Sequence, residues 1–183
     1  MEFLNNIKAR VPDYAKDLRL NLDAVLTRAS LPLNEALGAA LASAYAAKST
    51  LIADAIRTSG ELPAEDEAAA LTAAALMGMT NVWYSYVDFA ADADLKTQRA
   101  ELRMQAYQTH GGVDKRRFEV YALAASIVGK CRPCISSHFA TLKEEGLTAV
   151  QLRDIGRIAA VIQAIALVLH AEESSLAAPR AAA

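Results

Sequence analysis

Alanine-rich segments with a helical apolar period are the feature that most constrains the fold of this chain. Apolar residues recur every three to four positions, as at Leu18, Leu22 and Val25, which is the period of a helix with one buried face. The chain is 54% hydrophobic but only 6% aromatic, and this balance favours closely packed helices over a β-sandwich. The sequence therefore predicts an all-α fold, organised as one compact multi-helix domain over residues 1–183.

Proline, glycine and capping residues divide this pattern into separate helices. Pro32 and Gly60 end helical segments, Gly78 is expected to interrupt one, and Thr148 with Gln151 forms a capping box ahead of the last. The predicted helices cover 13–29, 33–47, 49–58, 62–77, 81–90, 114–128, 131–146 and 148–173. The tail at 177–183 is expected to be frayed.

Charge and hydropathy exclude several classes of partner. The formal net charge of −2 gives no basic surface for nucleic acid. The longest apolar run, 158–169, is shorter than the ~20 residues that span a bilayer, and it contains Gln163. The N-terminus also lacks a signal-peptide pattern. The sequence therefore predicts a cytoplasmic protein that binds neither nucleic acid nor membrane.

Both cysteines and one of the three histidines lie within eight consecutive residues, 131–138. Cys131 and Cys134 can close a small disulfide ring, and His138 follows Cys134 by one helical turn. A thiol pair beside a base suits thiol–disulfide chemistry, because the thiolate is the nucleophile and the base can generate it. A structural disulfide gains most by closing a long loop, and this one closes almost none. The spacing therefore indicates redox chemistry or a metal.

The residues around the cysteines predict a helix start that activates a thiol. Pro133 places Cys131 at or just before the first helical turn, where the partial positive charge of the helix favours a thiolate. Arg132 would add to this charge if it pointed inward. Glu119 lies on the preceding helix, and an inward carboxylate there could orient His138. The candidate redox site thus falls within 119–138.

Three other interpretations stay open on the residues alone. Glu119 could be a solvated surface acid. Together with Cys131, Cys134 and His138 it could bind a metal, although structural zinc sites usually pair two ligand clusters and a second cluster is missing here. The two cysteines could also be inert, buried side chains.

The pattern Glu119, then Cys131-x-x-Cys134-x-x-x-His138, resembles the signature of the alkyl hydroperoxide reductase D family, within the carboxymuconolactone decarboxylase-like superfamily. The likeness covers nearly the whole chain and includes PDYAKD at 12–17 and MGMTNV at 77–82. It implies an all-α fold and a homo-oligomer, commonly a trimer. It also implies an antioxidant, weak peroxidase that reduces hydroperoxides and the disulfide of a partner peroxiredoxin, alkyl hydroperoxide reductase C, without a tightly bound cofactor.

The resemblance also implies a role for each site residue. Cys134 would attack the peroxide or the partner disulfide, Cys131 would resolve the intermediate, and His138 with Glu119 would deprotonate Cys134. Electrons would come from dihydrolipoamide, presented by a lipoamide-bearing protein. Well-known members carry a second histidine just before the second cysteine, where this chain has Pro133. Proton transfer would then run through Glu119, His138 and water.

Two further functions are weighed against this hypothesis. One is a non-redox decarboxylase or lactone-processing enzyme of the wider superfamily, and the redox cysteine pair argues against it. The other is a non-enzymatic helical interaction protein with incidental cysteines. A reversible Cys131–Cys134 disulfide would separate the redox enzyme from the interaction protein.

Overall fold

Helices make up all the regular structure in the residues that the computed structural model describes, 1–177. In chain order the α-helices are α1 (Glu2–Arg10), α2 (Lys16–Thr27), α3 (Leu33–Ala46), α4 (Thr50–Thr58), α5 (Ala64–Ala90), α6 (Ala93–Thr97), α7 (Gln105–Gln108), α8 (Lys115–Val128), α9 (Arg132–Glu144) and α10 (Ala149–Ala177). Short 3-10 turns lie at Asp13–Ala15 and His110–Gly112. The all-α prediction is confirmed. The predicted frayed tail lies outside the described residues, except that Ala177 is the last residue of α10.

The centre of the fold is formed by α3, α5 and α8, which pack against one another, while α10 covers α3 and α8. Every residue from 35 to 44 in α3 is buried. Small side chains at the contacts let the helix backbones approach closely, which is why an alanine-rich chain builds this core. The fully buried alanines include Ala36, Ala39, Ala40, Ala42 and Ala44 of α3, Ala69, Ala70 and Ala73 of α5, and Ala122, Ala124 and Ala125 of α8.

The helix boundaries differ from the sequence prediction at several places. The predicted interruption at Gly78 is wrong, because α5 runs continuously from Ala64 to Ala90. A glycine inside a helix costs about 1 kcal/mol relative to alanine, and the packing of α5 on α3 and α8 outweighs this cost. The helices α1, α6 and α7 were not predicted, and α6 and α7, with five and four residues, are too short to show a helical apolar period. The capping box is confirmed, since Thr148 N donates to Gln151 Oε1 over 2.9 Å and Gln151 N donates to Thr148 Oγ1 over 3.3 Å.

A buried acid fixes α8 in rotation relative to α5. Asp66 of α5 accepts hydrogen bonds from the hydroxyl of Tyr121 and from Arg117 Nη1 at 3.2 Å, both on α8. Burial, reinforced by the bond to Asp66, raises the pKa of Tyr121, so the phenol remains a donor. Glu119 lies two residues earlier, roughly 200° around the helix, and it therefore points to the opposite side, towards α9.

A glycine of α3 leaves the space that Tyr121 needs. A Cβ added at Gly38 would overlap the Tyr121 ring, and this ring cannot withdraw because it is buried and hydrogen-bonded to Asp66. We therefore expect Gly38→Ala to lower the free energy of unfolding by about 1–3 kcal/mol. Urea denaturation of the two proteins measures the difference.

The matched control is Gly78→Ala, at a helix-interior glycine where an added Cβ meets no atom within 4 Å. Relief of the glycine penalty should stabilise this variant by about 0.5–1 kcal/mol. Equal free energies of unfolding for the two variants would show that Tyr121 yields without cost.

Candidate redox site

The two cysteines lie at the start of α9 and are joined by a disulfide, with their Cα atoms 5.3 Å apart. Cys131 caps the helix, and its Sγ accepts a hydrogen bond from the backbone N–H of Cys134 over 3.3 Å. Pro133 stands in the first turn, where its missing N–H costs no helical hydrogen bond. The local sequence thus places both sulfurs within bonding reach at the positive end of a helix.

The side chain of Asn81, on α5, forms hydrogen bonds to the end of α8, just before the turn that leads into α9. Asn81 donates from Nδ2 to the carbonyl oxygen of Ala125 over 3.4 Å and accepts from Ser126 Oγ over 3.2 Å. A Cβ added at Gly129 would overlap the Asn81 side chain, so glycine is needed there for space. Its φ of −71° is ordinary, and the left-handed residue of the turn is Lys130, with a φ of 55°. Cys131 therefore follows a turn braced by a buried side chain.

Glu119 of α8 forms a hydrogen-bonded pair with His138 of α9, the helix that starts at the cysteines. The carboxylate is 0% exposed, and its Oε2 lies 2.7 Å from His138 Nδ1. A carboxylate only accepts hydrogen bonds, so Nδ1 carries the proton and Nε2 is the nitrogen left for other partners. Glu119 points inward, and the interpretation as a solvated surface acid is wrong.

Glu119 stays ionised although it is buried. Burial raises the pKa of this carboxyl, but hydrogen bonds from His138 and Tyr107 outweigh that effect and hold the pKa of Glu119 below its usual value. A carboxyl whose pKa is lower in the folded state stabilises the protein above the unfolded-state pKa of about 4.3. That stabilisation is lost as the pH falls through the folded-state pKa. A charged partner for His138 is therefore present at neutral pH.

The second nitrogen of His138 has a partner that the sequence did not predict. Nε2 lies 3.2 Å from Met77 Sδ, while Cys134 Sγ lies 3.8 Å from the carbonyl oxygen of Thr80. The spacing of Cys134 and His138 predicts an imidazole against the Cys134 sulfur. In this disulfide form Nε2 faces Met77 Sδ instead, and this is a contact rather than a hydrogen bond, because with the proton on Nδ1 neither Nε2 nor the thioether has a hydrogen to donate. A disulfide sulfur carries no proton, so Cys134 cannot donate a hydrogen bond to Nε2 in this form.

A cavity of about 590 Å³ opens onto this site, with walls from α5, α7, α9 and the segment before α7. It is mostly apolar. Its lining residues are Met77, Thr80, Tyr84, Met104, Tyr107, Gln108, Pro133, Cys134, Ser137 and His138. Cys134 is 6% exposed and borders the cavity, whereas Cys131 is fully buried and does not line it. A molecule in the cavity would therefore meet Cys134 first.

Residues 132 and 133 face in different directions. The side chain of Arg132 is 81% exposed and pairs with Asp88, with Nη2 and Oδ1 2.8 Å apart. An inward Arg132 that supports a thiolate is therefore wrong. Pro133 lines the cavity, so the position at which the family resemblance implies a second histidine faces the cavity.

Four residues of the site were missed from the sequence. Met77, Thr80 and Asn81 all lie in the 77–82 segment, whose resemblance to the family was the one available signal. Tyr107, which donates to Glu119 Oε1, belongs to a helix of four residues that shows no periodicity. Met77 and His138 are 61 residues apart in the sequence, so the spacing of nearby residues cannot predict their contact.

Metal binding and membrane spanning both require features that the described residues can be compared with. Within 1–177, no group of three or more His, Cys, Asp or Glu side chains is placed to hold a metal ion. In the disulfide form the two sulfurs are bonded to each other and are not thiolates, the form of cysteine that binds a metal. Over the same residues, no helix has the length and apolar character required to cross a bilayer.

The fold and the site define an all-helical protein with a Cys-x-x-Cys disulfide centre. The profile of the Carboxymuconolactone decarboxylase family matches residues 93–174. A relative from Rhodospirillum centenum, named alkyl hydroperoxide reductase AhpD, is 46% identical over 168 residues, which cover 91% of this chain and 90% of the relative. Proteins of the same name from Maricaulis maris and a Bradyrhizobium species are 41% and 38% identical, over 92% of this chain and 98% and 93% of their own lengths. The chain belongs to the alkyl hydroperoxide reductase AhpD family.

The difference in access predicts that Cys134 is the more reactive thiol after reduction. Cys131→Ser, which keeps the cysteine that borders the cavity, should react with iodoacetamide about tenfold faster near neutral pH than Cys134→Ser. Alkylation rates followed by mass spectrometry give the comparison. Denatured samples of both variants serve as the control, since their rates should converge. The reverse order in the folded proteins would exchange the roles of the two cysteines.

Proposed function

We propose that this protein is an antioxidant dithiol oxidoreductase with alkyl hydroperoxide reductase activity. The observation that supports it best is the Cys131–Cys134 disulfide, of which only Cys134 borders a cavity, beside the paired Glu119 and His138. Two thiols within bonding reach can release two electrons to an oxidant and regain them by thiol–disulfide exchange. The name shared by the relatives supports the same activity.

In the proposed cycle, the Cys134 thiolate of the reduced protein attacks the terminal oxygen of a hydroperoxide. The S–O bond forms as the O–O bond breaks, the alkoxide leaves and is protonated to the alcohol, and Cys134 becomes a sulfenic acid. The Cys131 thiol then attacks the Cys134 sulfur, forming the S–S bond and releasing water. The peroxide has gained two electrons, and the two cysteines have lost them.

His138 and Glu119 act as the proton relay in this proposal. Nε2 of His138 takes the proton of the Cys134 thiol, directly or through a water, and returns it to the departing alkoxide. Nε2 must therefore turn from Met77 to Cys134 once the disulfide opens, and the unbranched Met77 side chain can give way. Glu119 stabilises the imidazolium through the Nδ1–H bond, because a buried carboxylate close to a cation favours the charged form.

The remaining parts of the proposal concern partners and rest on the family resemblance. The disulfide is reduced by dihydrolipoamide, whose two thiols donate two electrons and close to a cyclic disulfide. This dithiol is carried by a lipoamide-bearing protein. The reduced chain in turn reduces a peroxiredoxin of the alkyl hydroperoxide reductase C type. The protein works as a homotrimer in the cytoplasm.

Two alternatives are less well supported. A decarboxylase or lactone-processing enzyme has no use for a disulfide whose Cys134 lines its cavity. A helical interaction protein has no need of a buried Glu119–His138 pair. Burying the Glu119 charge is costly unless a partner such as His138 compensates it, and binding through a surface gives no reason to bury that charge at all.

An assay with three reductants tests the proposed function. Turnover of an alkyl hydroperoxide is measured with dihydrolipoamide, thioredoxin and glutathione, and we expect dihydrolipoamide to sustain the highest rate. Cys134→Ser should abolish turnover with every reductant, because it removes the nucleophile. A wild-type protein that fails with all three, or a Cys134→Ser variant that retains full activity, would contradict the proposal.

A further inference from the structure

Tyr107 contacts the buried carboxylate of Glu119 from a different element than His138 does. The Tyr107 hydroxyl, on α7, donates to Oε1, whereas Oε2 lies 2.7 Å from Nδ1 of His138 on α9. The two oxygens of one carboxylate are thus divided between two donors. Neither the Cys-x-x-Cys signature nor the resemblance gives Tyr107 a role.

The ring of Tyr107 is held in place by aromatic contacts. It packs edge-on against Phe118, with centroids 5.5 Å apart, and lies 6.4 Å from the ring of His138 and 6.3 Å from that of His110. The side chain is half-buried and also lines the cavity. The hydroxyl is therefore fixed between the cavity and Glu119.

We propose that Tyr107 is a positioning residue of the redox site, whose hydroxyl holds the Glu119 carboxylate in the orientation that receives the Nδ1–H of His138. The predicted effect of Tyr107 on turnover rests on the proposed function. The contact between Tyr107 and Glu119 does not depend on that proposal. By fixing the carboxylate, Tyr107 also fixes the tautomer of His138 and leaves Nε2 for the proton of Cys134.

The hydroxyl is suited to this role because it does not titrate in the working range of the site. Burial, with the hydrogen bond to Glu119, raises the pKa of Tyr107 well above its ordinary value, so the phenol stays a donor. The other titratable groups that face this pair are His138 of α9, Lys115 of α8, Tyr84 of α5 and His110 of the 3-10 turn, joined by Cys134 once the disulfide is reduced. Lys115 is engaged by Glu145, with Nζ and Oε1 2.9 Å apart. The Tyr107 hydroxyl therefore gives Glu119 Oε1 a neutral hydrogen-bond donor, in addition to the donor that Oε2 has in His138 Nδ1.

The test variant is Tyr107→Phe, which keeps the ring and its contacts and removes only the hydroxyl. Loss of a donor to the ionised form should make Glu119 titrate at a higher pH than in the wild type, as followed by the carboxyl ¹³C NMR signal. The acid limb of the kcat/KM profile should move in the same direction, with about a tenfold loss near pH ~5.5 and a smaller loss near pH ~8.

The matched control is Tyr14→Phe. Tyr14 also donates to a carboxylate, Glu172 Oε1 at 2.8 Å, but this bond is exposed and joins other elements. Its loss should leave the Glu119 titration and the pH profile unchanged. A Glu119→Gln background gives a second test, because Tyr107→Phe should then cause no further loss if it acts only through Glu119.

The outcomes separate this inference from the proposed function. A Glu119 titration that is the same in Tyr107→Phe and wild type overturns the role of Tyr107, and so does a full additional loss in the Glu119→Gln background. A wild-type protein without peroxide turnover overturns the proposed function instead. The NMR titration would still decide whether Tyr107 holds Glu119, because it needs no substrate.

Discussion

A buried carboxylate is costly unless it is paired and hydrogen-bonded, and the site is arranged around the groups that satisfy Glu119. His138 comes from α9 and Tyr107 from α7, while Glu119 itself stands on α8. Three helices therefore converge on one charge. Their convergence places the imidazole of His138 in the wall of the cavity that Cys134 also lines. Removing either donor would leave part of the carboxylate unsatisfied, so the relay and the local packing depend on the same contacts.

The rest of the core holds α8 in the orientation that this charge requires. The bond between Asp66 and Tyr121 sets the rotation of α8 against α5, and Gly38 leaves room for the Tyr121 ring. Asn81 then braces the turn that follows α8, with Gly129 providing the space. These residues take no part in the redox chemistry, yet their contacts determine the positions of Glu119 and Cys131. Substitutions at them should therefore change stability and reactivity together.

Sequence reasoning predicted the part of the site that helix geometry fixes locally. Cys131, Cys134 and His138 lie within eight residues of one helix, so their spacing alone places them together. The sequence does not determine whether Glu119 points inward, because its direction depends on the rotation of α8 against other helices. Tyr107 could not be predicted, since it reaches the site from a four-residue helix whose position is set by tertiary packing. Local propensity also gave the wrong result at Gly78, where packing of α5 overrides the glycine.

The central claim is that Cys131 and Cys134 pass reversibly between dithiol and disulfide when the protein meets a peroxide. The most direct measurement is a single turnover, in which the reduced protein receives one equivalent of an alkyl hydroperoxide and is quenched in acid for mass spectrometry. We predict the loss of two hydrogens, a peptide map that links Cys131 to Cys134, and full reversal by dihydrolipoamide. Peroxide that persists beside two unchanged thiols, or is consumed without forming the disulfide, would contradict the claim.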